Sequence, residues 1–182
     1  RQNSRRAFVI NSALDSVSTN VVIADENRNL IYANAAVVEM FRRNISEIQK
    51  DLPSFSLDTM IGTSIDTYHK NPRHQADMLA NMTGRIDSRL NLGQAVFDLA
   101  AFPVISDKGE RLGSVVQWDD ITQQLKVEEE VADIVKRATS GDFENRIDLS
   151  SKEGFMARLS EGINQILATT SGAVVDLGDV MS

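Results

Sequence analysis

Cysteine is absent from this chain of 182 residues. That absence excludes disulfides, thiolate catalysis and the zinc and iron–sulfur sites that are built on cysteine. It also fits a reducing compartment, so we expect the segment to be cytoplasmic. Any strong metal ligand of neutral character must then come from the two histidines of the chain.

Long hydrophobic runs are also missing from the sequence. No apolar stretch approaches the roughly 20 residues that a membrane-spanning helix needs, and no signal-peptide pattern is present. We therefore expect no membrane span in this segment. The chain begins at Arg1 rather than at a methionine, which suggests a piece of a longer protein.

Positive charge is in short supply, with 19 Lys and Arg against 26 Asp and Glu and a net charge of -7. This balance argues against nucleic acid as a partner, because binding to phosphates requires clustered cations. Docking on anionic lipid is disfavoured for the same reason. No catalytic triad, carboxylate pair or phosphate-binding loop is found, so we expect no enzyme.

The two histidines lie close together in the stretch Tyr68-His69-Lys70-Asn71-Pro72-Arg73-His74. Imidazole is the commonest protein ligand for metals and the usual proximal ligand of haem iron. A histidine beside a proline at a helix start is, however, often only a capping or surface residue. The residues alone leave both histidines open as ligand candidates.

The first two thirds of the sequence predict an α+β domain. Two short β-rich runs, 20–25 and 30–33, flank a polar turn and read as a hairpin. Asn34 then caps a helix, and Pro72 opens another. Short helical pieces are expected at 35–41, 46–50 and 72–81, and strands at 84–90, 95–105 and 112–118. This order predicts a five-stranded antiparallel sheet with helices on one face.

Beyond Thr122 the pattern becomes helical. A helix is expected over 123–140 and a connector over 141–154. The last helix carries a strict heptad pattern, which we call the seam: Leu159, Ile163, Ile166, Thr170, Ala173, Leu177 and Val180. So narrow an apolar stripe needs partner helices, so we predict a parallel homodimer. The alternative is that the seam packs on the sheet domain of its own chain.

The strand and helix order, Asn34, and the ending Gly113-Ser114-Val115-Val116-Gln117-Trp118-Asp119-Asp120-Ile121-Thr122 resemble a PAS sensor domain. In that family an Asp-Ile-Thr ending joins the last strand to an output helix, and Asp120, Ile121 and Thr122 match it. Apolar residues at helical spacing before this domain predict an N-terminal helix over 1–18. With the resemblance, the chain then divides into that helix, a PAS domain over 19–122, and an output and relay region over 123–182.

The C-terminal region is similar to a HAMP relay domain, a dimeric four-helix bundle. The matching features are Gly141-Asp142-Phe143 in the connector and Glu153-Gly154 at the start of the last helix. Methyl-accepting chemoreceptors combine PAS and HAMP domains in this way. The resemblance implies a sensory segment that acts on a downstream chemoreceptor signalling domain and its kinase complex, with relay through Asp120, Ile121, Thr122, Glu153 and Gly154.

Within the PAS family, the chain most resembles the haem-binding PAS domains of aerotaxis-type soluble chemoreceptors. These carry a proximal histidine on a short helix, a tryptophan on the last strand and a leucine on the strand before it. His69, Trp118 and Leu99 match these positions. The resemblance implies haem b with His69 as axial ligand, and oxygen or another diatomic gas stabilised by Trp118, while His74 has no assigned role.

The alternation of side chains along the strands indicates which residues would line the slot for haem. Leu112, Val116 and Trp118 are expected on one face of the last strand, and Phe97 and Leu99 on one face of the strand before. Two other interpretations stay open. The PAS domain could bind a different small molecule, or it could serve as a ligand-free dimerisation and relay module.

Overall fold

The computed structural model describes residues 2–69 and 71–180, and the side chains of residues 5–69 and 71–173. The chain divides into two compact units that meet in sequence between Ile121 and Thr122. Each unit has its own architecture.

The first unit is built on one antiparallel sheet. Its strands are β1 (Asn20–Asp25), β2 (Leu30–Ala33), β3 (Ile86–Leu92), β4 (Ala95–Ile105) and β5 (Arg111–Asp120). Its helices are α1 (Gln2–Asp15), α2 (Ala35–Arg43), α3 (Ile45–Asp51) and α4 (Pro72–Asn81), with a 3₁₀ helix at Ile65–Tyr68. The strand order is β2-β1-β5-β4-β3, which confirms the predicted five-stranded α+β fold.

The register of the sheet decides which side chains face the helices. Leu99 lies directly opposite Trp118, and Val22 lies opposite Val116. Because paired residues point to the same side, these side chains share one face, which we call the inner face. Helices α2 and α3 contribute its fully buried partners Val37, Met40 and Ile48. Burial of each such side chain contributes about 1.5–3 kcal/mol, so this face anchors the unit.

Asn34 connects three elements at the end of β2. It is fully buried, and its side-chain oxygen accepts hydrogen bonds from the backbone N–H groups of Val21 and Val37. Its amide nitrogen donates to the carbonyl oxygens of Leu14 and Thr19 at 2.9 and 2.8 Å. The predicted cap of α2 is therefore confirmed, and the same side chain also ties the end of α1 to β1.

Two details of the strands differ from expectation. Strand β3 covers Ile86–Leu92 rather than the expected 84–90, and its last residue, Leu92, is buried. The register of β4 and β5 shifts near Ile105, and Leu112 is 50% exposed. The expectation that Leu112 shares the inner face with Val116 and Trp118 is thus wrong, because a bulge resets the alternation there.

The second unit contains α5 (Thr122–Ala138), a connector and α6 (Gly154–Val180). Ile134, Ile147 and Leu167 form its buried cluster, one residue from each of these three parts. The side chain of Asn164 pairs with the backbone of Ile147, accepting from its N–H at 2.8 Å and donating to its carbonyl at 3.0 Å. The connector is thereby held against α6.

The residues of the seam differ in burial. Ile163 packs against the buried cluster of the second unit, whereas Leu159 is 39% and Ile166 is 66% exposed. Leu177 and Val180 lie outside the residues whose side chains are described. A monomer therefore leaves part of this apolar stripe in contact with water.

Candidate functional site

His69 lies at the end of the 3₁₀ helix that precedes α4. The Oγ of Ser64 caps the start of this helix by accepting from the N–H of Asp66 at 3.3 Å. The backbone N–H of His69 closes its other end by donating to the Asp66 carbonyl. The His69 side chain is half-buried.

The imidazole of His69 is held by one backbone contact. Its Nδ1 lies 2.7 Å from the carbonyl oxygen of Ile65, which can only accept. Nδ1 must therefore carry the proton, and the lone pair of the neutral ring is then on Nε2. A histidine that binds a metal is usually oriented in this way, with one nitrogen donating to a carbonyl and the other left to ligate.

His74 has a different setting in the first turn of α4. Its side chain is exposed, and its backbone N–H donates to Oδ1 of Asn71 at 3.3 Å. Asn71 is the N-cap of the helix and Pro72 occupies its first turn. These contacts account for the residue as part of a helix start.

Trp118 and Leu99 face each other across β5 and β4 on the inner face, and both are partly buried. The Trp118 ring stands edge-to-face against Phe41 of α2, with centroids 5.0 Å apart, and against Phe97 at 5.6 Å. Phe41 in turn contacts Phe55, and Phe55 contacts Tyr68, the neighbour of His69. A continuous row of aromatic rings thus joins the histidine end of the unit to β5.

The residue types around this row suit an apolar ligand. Leu57, Ile65 and Tyr68 pack against the same buried core as Leu99 and Trp118. A cavity of about 520 Å³ lies on the other side of the sheet, and charged residues such as Arg85, Asp87 and Asp98 line it. That cavity has the wrong polarity for the predicted haem slot.

The donor set fits haem better than a bare metal ion. Among the side chains that the structure describes, those of residues 5–69 and 71–173, no group of three His, Asp or Glu could hold an ion. Haem needs fewer protein ligands, because its macrocycle supplies four nitrogens and a single imidazole from the protein suffices. His69, with Nε2 available and aromatic and aliphatic neighbours, meets that requirement.

The residues assigned to relay lie at the ends of elements. Asp120 accepts a hydrogen bond from Nδ2 of Asn44 at 2.8 Å, and Ile121 is buried with its N–H bonded to the Val96 carbonyl. Thr122 is the first residue of α5. In the second unit Glu153 is exposed, and Gly154 starts α6 with φ +57, a conformation that favours glycine.

One ion pair near His69 has no signal in the sequence pattern. The guanidinium of Arg28 binds the carboxylate of Asp66 through two bonds, Nε to Oδ1 at 2.9 Å and Nη2 to Oδ2 at 2.8 Å. The hydrogen bond from Arg28 lowers the pKa of Asp66 below its ordinary value. The two residues are 38 positions apart, so neither periodicity nor spacing could reveal them.

Comparison with known proteins agrees with the fold of the first unit. Residues 9–72 match the family model described as a PAS domain. The chain is 44% identical over 172 residues to the methyl-accepting chemotaxis protein McpB of Pseudomonas aeruginosa. That alignment covers 94% of this chain but only 25% of McpB, so the chain spans a quarter of that relative.

Among solved structures, the chain is similar to the Aer2 receptor from Vibrio cholerae, described as a dual PAS-haem oxygen sensor. The identity is 30%, the TM-score is 0.53, and the match covers 57% of this chain and 94% of that one.

The fold, the Asp-Ile-Thr ending and these matches define a sensory domain rather than an enzyme. The chain belongs to the PAS family. None of the helices in the described residues is long and apolar enough to cross a membrane.

Proposed function

We propose that this chain is the sensory and relay segment of a cytoplasmic chemoreceptor, and that it binds haem b through His69 to sense oxygen or another diatomic gas. The observation that carries the proposal is the 2.7 Å contact between Nδ1 of His69 and the Ile65 carbonyl, which leaves Nε2 as the ligating atom. The similarity to an oxygen sensor of the PAS-haem type supports the same assignment.

Each residue has a distinct task in this proposal. His69 would hold the haem through Nε2, and the Ile65 carbonyl fixes the tautomer of the imidazole. Leu99 and the core side chains around it keep water away. Haem bound here would supply an iron that takes up a diatomic gas reversibly. Trp118 offers an indole N–H, a donor without acceptor capacity, which favours a polarised ligand by about 0.5–1.5 kcal/mol.

The relay part of the proposal starts at the end of β5. Trp118 lies two residues before Asp120-Ile121-Thr122, which lead directly into α5. We assign residues 1–18 to an N-terminal segment that contains α1, 19–122 to the PAS domain, and 123–182 to an output and HAMP-type relay region. The exposed seam residues Leu159 and Ile166 support a homodimer, which would act on a downstream signalling domain and its kinase complex.

Absorption spectra of three variants of the 182-residue chain, produced with haem available, test the ligand. His69→Ala should lose the Soret band, because the nitrogen that would hold the haem is removed. His74→Ala is the matched control and should retain the band, because that side chain is exposed in α4. Trp118→Leu should also retain the band but bind oxygen about tenfold more weakly, as expected for a lost hydrogen bond of ~1.4 kcal/mol.

Two outcomes would overturn His69 as the haem ligand, and a third would overturn the role of Trp118. Loss of the band in His74→Ala with retention in His69→Ala would move the ligand to His74. Wild-type protein without any Soret band would favour the alternatives, a PAS domain for a different small molecule or a ligand-free relay module. Unchanged oxygen affinity in Trp118→Leu would remove that residue from ligand stabilisation.

A further inference from the structure

The segment that carries His69 is hydrogen-bonded to the hairpin formed by β1 and β2. We call residues 62–69 the histidine segment. The N–H of Gly62 donates to the Leu30 carbonyl at 2.7 Å, and the N–H of Leu30 donates to the Thr63 carbonyl at 3.0 Å. Asn29 and Ser64 form an isolated β-bridge beside them. The histidine segment is therefore paired with the hairpin before its 3₁₀ helix begins.

Arg28 makes the last and most specific of these contacts. Its backbone has φ +66, which for a residue other than glycine is uncommon and persists only where the surroundings enforce it. This conformation lets the Arg28 carbonyl accept from the N–H of Ile65 at 2.9 Å while the guanidinium binds Asp66. One residue thus fixes two successive residues of the 3₁₀ helix.

Those two residues are the ones that hold His69. The Ile65 carbonyl accepts from Nδ1 of the imidazole, and the Asp66 carbonyl accepts from the His69 backbone N–H at 3.3 Å. Both the ring and the main chain of His69 are therefore bonded to residues that Arg28 restrains. The pair is also shielded, with side chains of Arg28 and Asp66 only 32% and 28% exposed.

We propose that Arg28 and Asp66 are positioning residues that set the orientation of the His69 imidazole and the availability of its Nε2. This inference rests on the proposed role of His69 as a haem ligand. Neither residue touches the ligating nitrogen, so both act through Ile65 and the 3₁₀ helix. A planar, two-bond contact defines orientation as well as proximity, and a lysine could not reproduce it.

Asp66→Asn tests the pair, and Asp98→Asn is its matched control. Arg89 and Asp98 form the same two-bond arrangement at 2.7 and 2.9 Å, on the opposite side of the sheet from Trp118. In the haem-loaded chain, Asp66→Asn should shift or broaden the iron–histidine stretching band of the ferrous state. It should also release haem about tenfold faster. Metal sites usually lose ~10–100-fold in affinity when a residue that orients a metal ligand is removed. Asp98→Asn should change release by no more than about twofold, as for an exposed pair.

A measurement on the haem-free chain separates this inference from the proposed function. Nitrogen-15 NMR of the His69 ring should show the proton on Nδ1 in the wild type and in Asp98→Asn, and a larger share on Nε2 in Asp66→Asn. If the wild type binds no haem, the proposed function fails, and this tautomer shift still supports the positioning role.

Arg28→Lys provides a second variant in case Asp66→Asn does not fold by circular dichroism. It retains the cation but loses the two-bond geometry, so its effects should lie between those of wild type and Asp66→Asn. The inference is overturned if the variant that folds matches Asp98→Asn in stretching band, haem release and ring tautomer.

Discussion

Asn34 shows at the scale of a single residue how one polar side chain can organise a fold. It is fully buried, yet both of its donors and its acceptor oxygen are in use, with partners from the end of α1, from β1 and from α2. A buried amide is tolerable only because its hydrogen bonds are complete. The position therefore requires this side chain rather than a polar residue in general.

Asn34→Ala should destabilise the first unit by about 3 kcal/mol, because the N–H groups of Val21 and Val37 would lose their acceptor while remaining buried. Denaturant unfolding followed by circular dichroism measures this. Asn81→Ala is the control, since the exposed Asn81 side chain makes one bond to the Asp77 carbonyl within its own helix. Equal losses in the two variants would show that the Asn34 network contributes no more than one exposed side-chain hydrogen bond.

At the scale of elements, the attachment of α1 depends on a second contact. The hydroxyl of Tyr32 on β2 lies 2.8 Å from Oδ1 of Asp15 and 3.2 Å from the Asn11 carbonyl. Burial, and then the hydrogen bond to Asp15, raise the pKa of Tyr32 to about 12. The folded state therefore holds the phenolic proton more tightly than the unfolded state, whose ordinary pKa is 10.0.

The stabilisation from neutral Tyr32 should be complete below pH 10 and lost as the pH rises toward 12. The difference in unfolding free energy between wild type and Tyr32→Phe should therefore shrink across that interval. Denaturant titrations at several alkaline pH values measure this difference. The ionisation of lysines affects both proteins equally and therefore cancels. If this difference stays constant from pH 9 to pH 12, the pKa of Tyr32 is not raised by folding, and the contact with Asp15 is contradicted.

Elements also show how unevenly the sequence predicts this fold. The hairpin, the strands of the meander and the start of α4 follow from local signals, namely alternation, polar turns and Pro72. The bulge that exposes Leu112 has no local signal, because it arises from pairing between β4 and β5. The same holds for Arg28 and Asp66, whose contact depends on where the chain returns after α3.

The candidate site could be predicted in its residue types but not in its geometry. A histidine before Pro72 and a single tryptophan near an Asp-Ile-Thr ending stand out in the sequence. The acceptor for Nδ1 of His69 does not, because it is the carbonyl of Ile65, and every residue has such a group.

At the scale of the whole molecule, the proposed homodimer depends on the exposed part of the seam. Ile166→Asp should weaken self-association at least tenfold, because it places a charge on an apolar stripe that the proposed partner helix covers. Sedimentation equilibrium of the 182-residue chain measures the dissociation constant. Ile61→Asp, at an isoleucine that is 51% exposed in the first unit, is the control. A wild-type chain that stays monomeric at high concentration would contradict the dimer proposal.

The row of aromatic rings has one more consequence, which is optical. Trp118 is the only tryptophan in the chain, and it lies in ring contact with Phe41 and Phe97 in the core. The ultraviolet emission of the protein therefore originates almost entirely from the inner face of the sheet. A coloured molecule bound beside it would quench that emission by energy transfer, so the chain carries a built-in fluorescent reporter of its own occupancy.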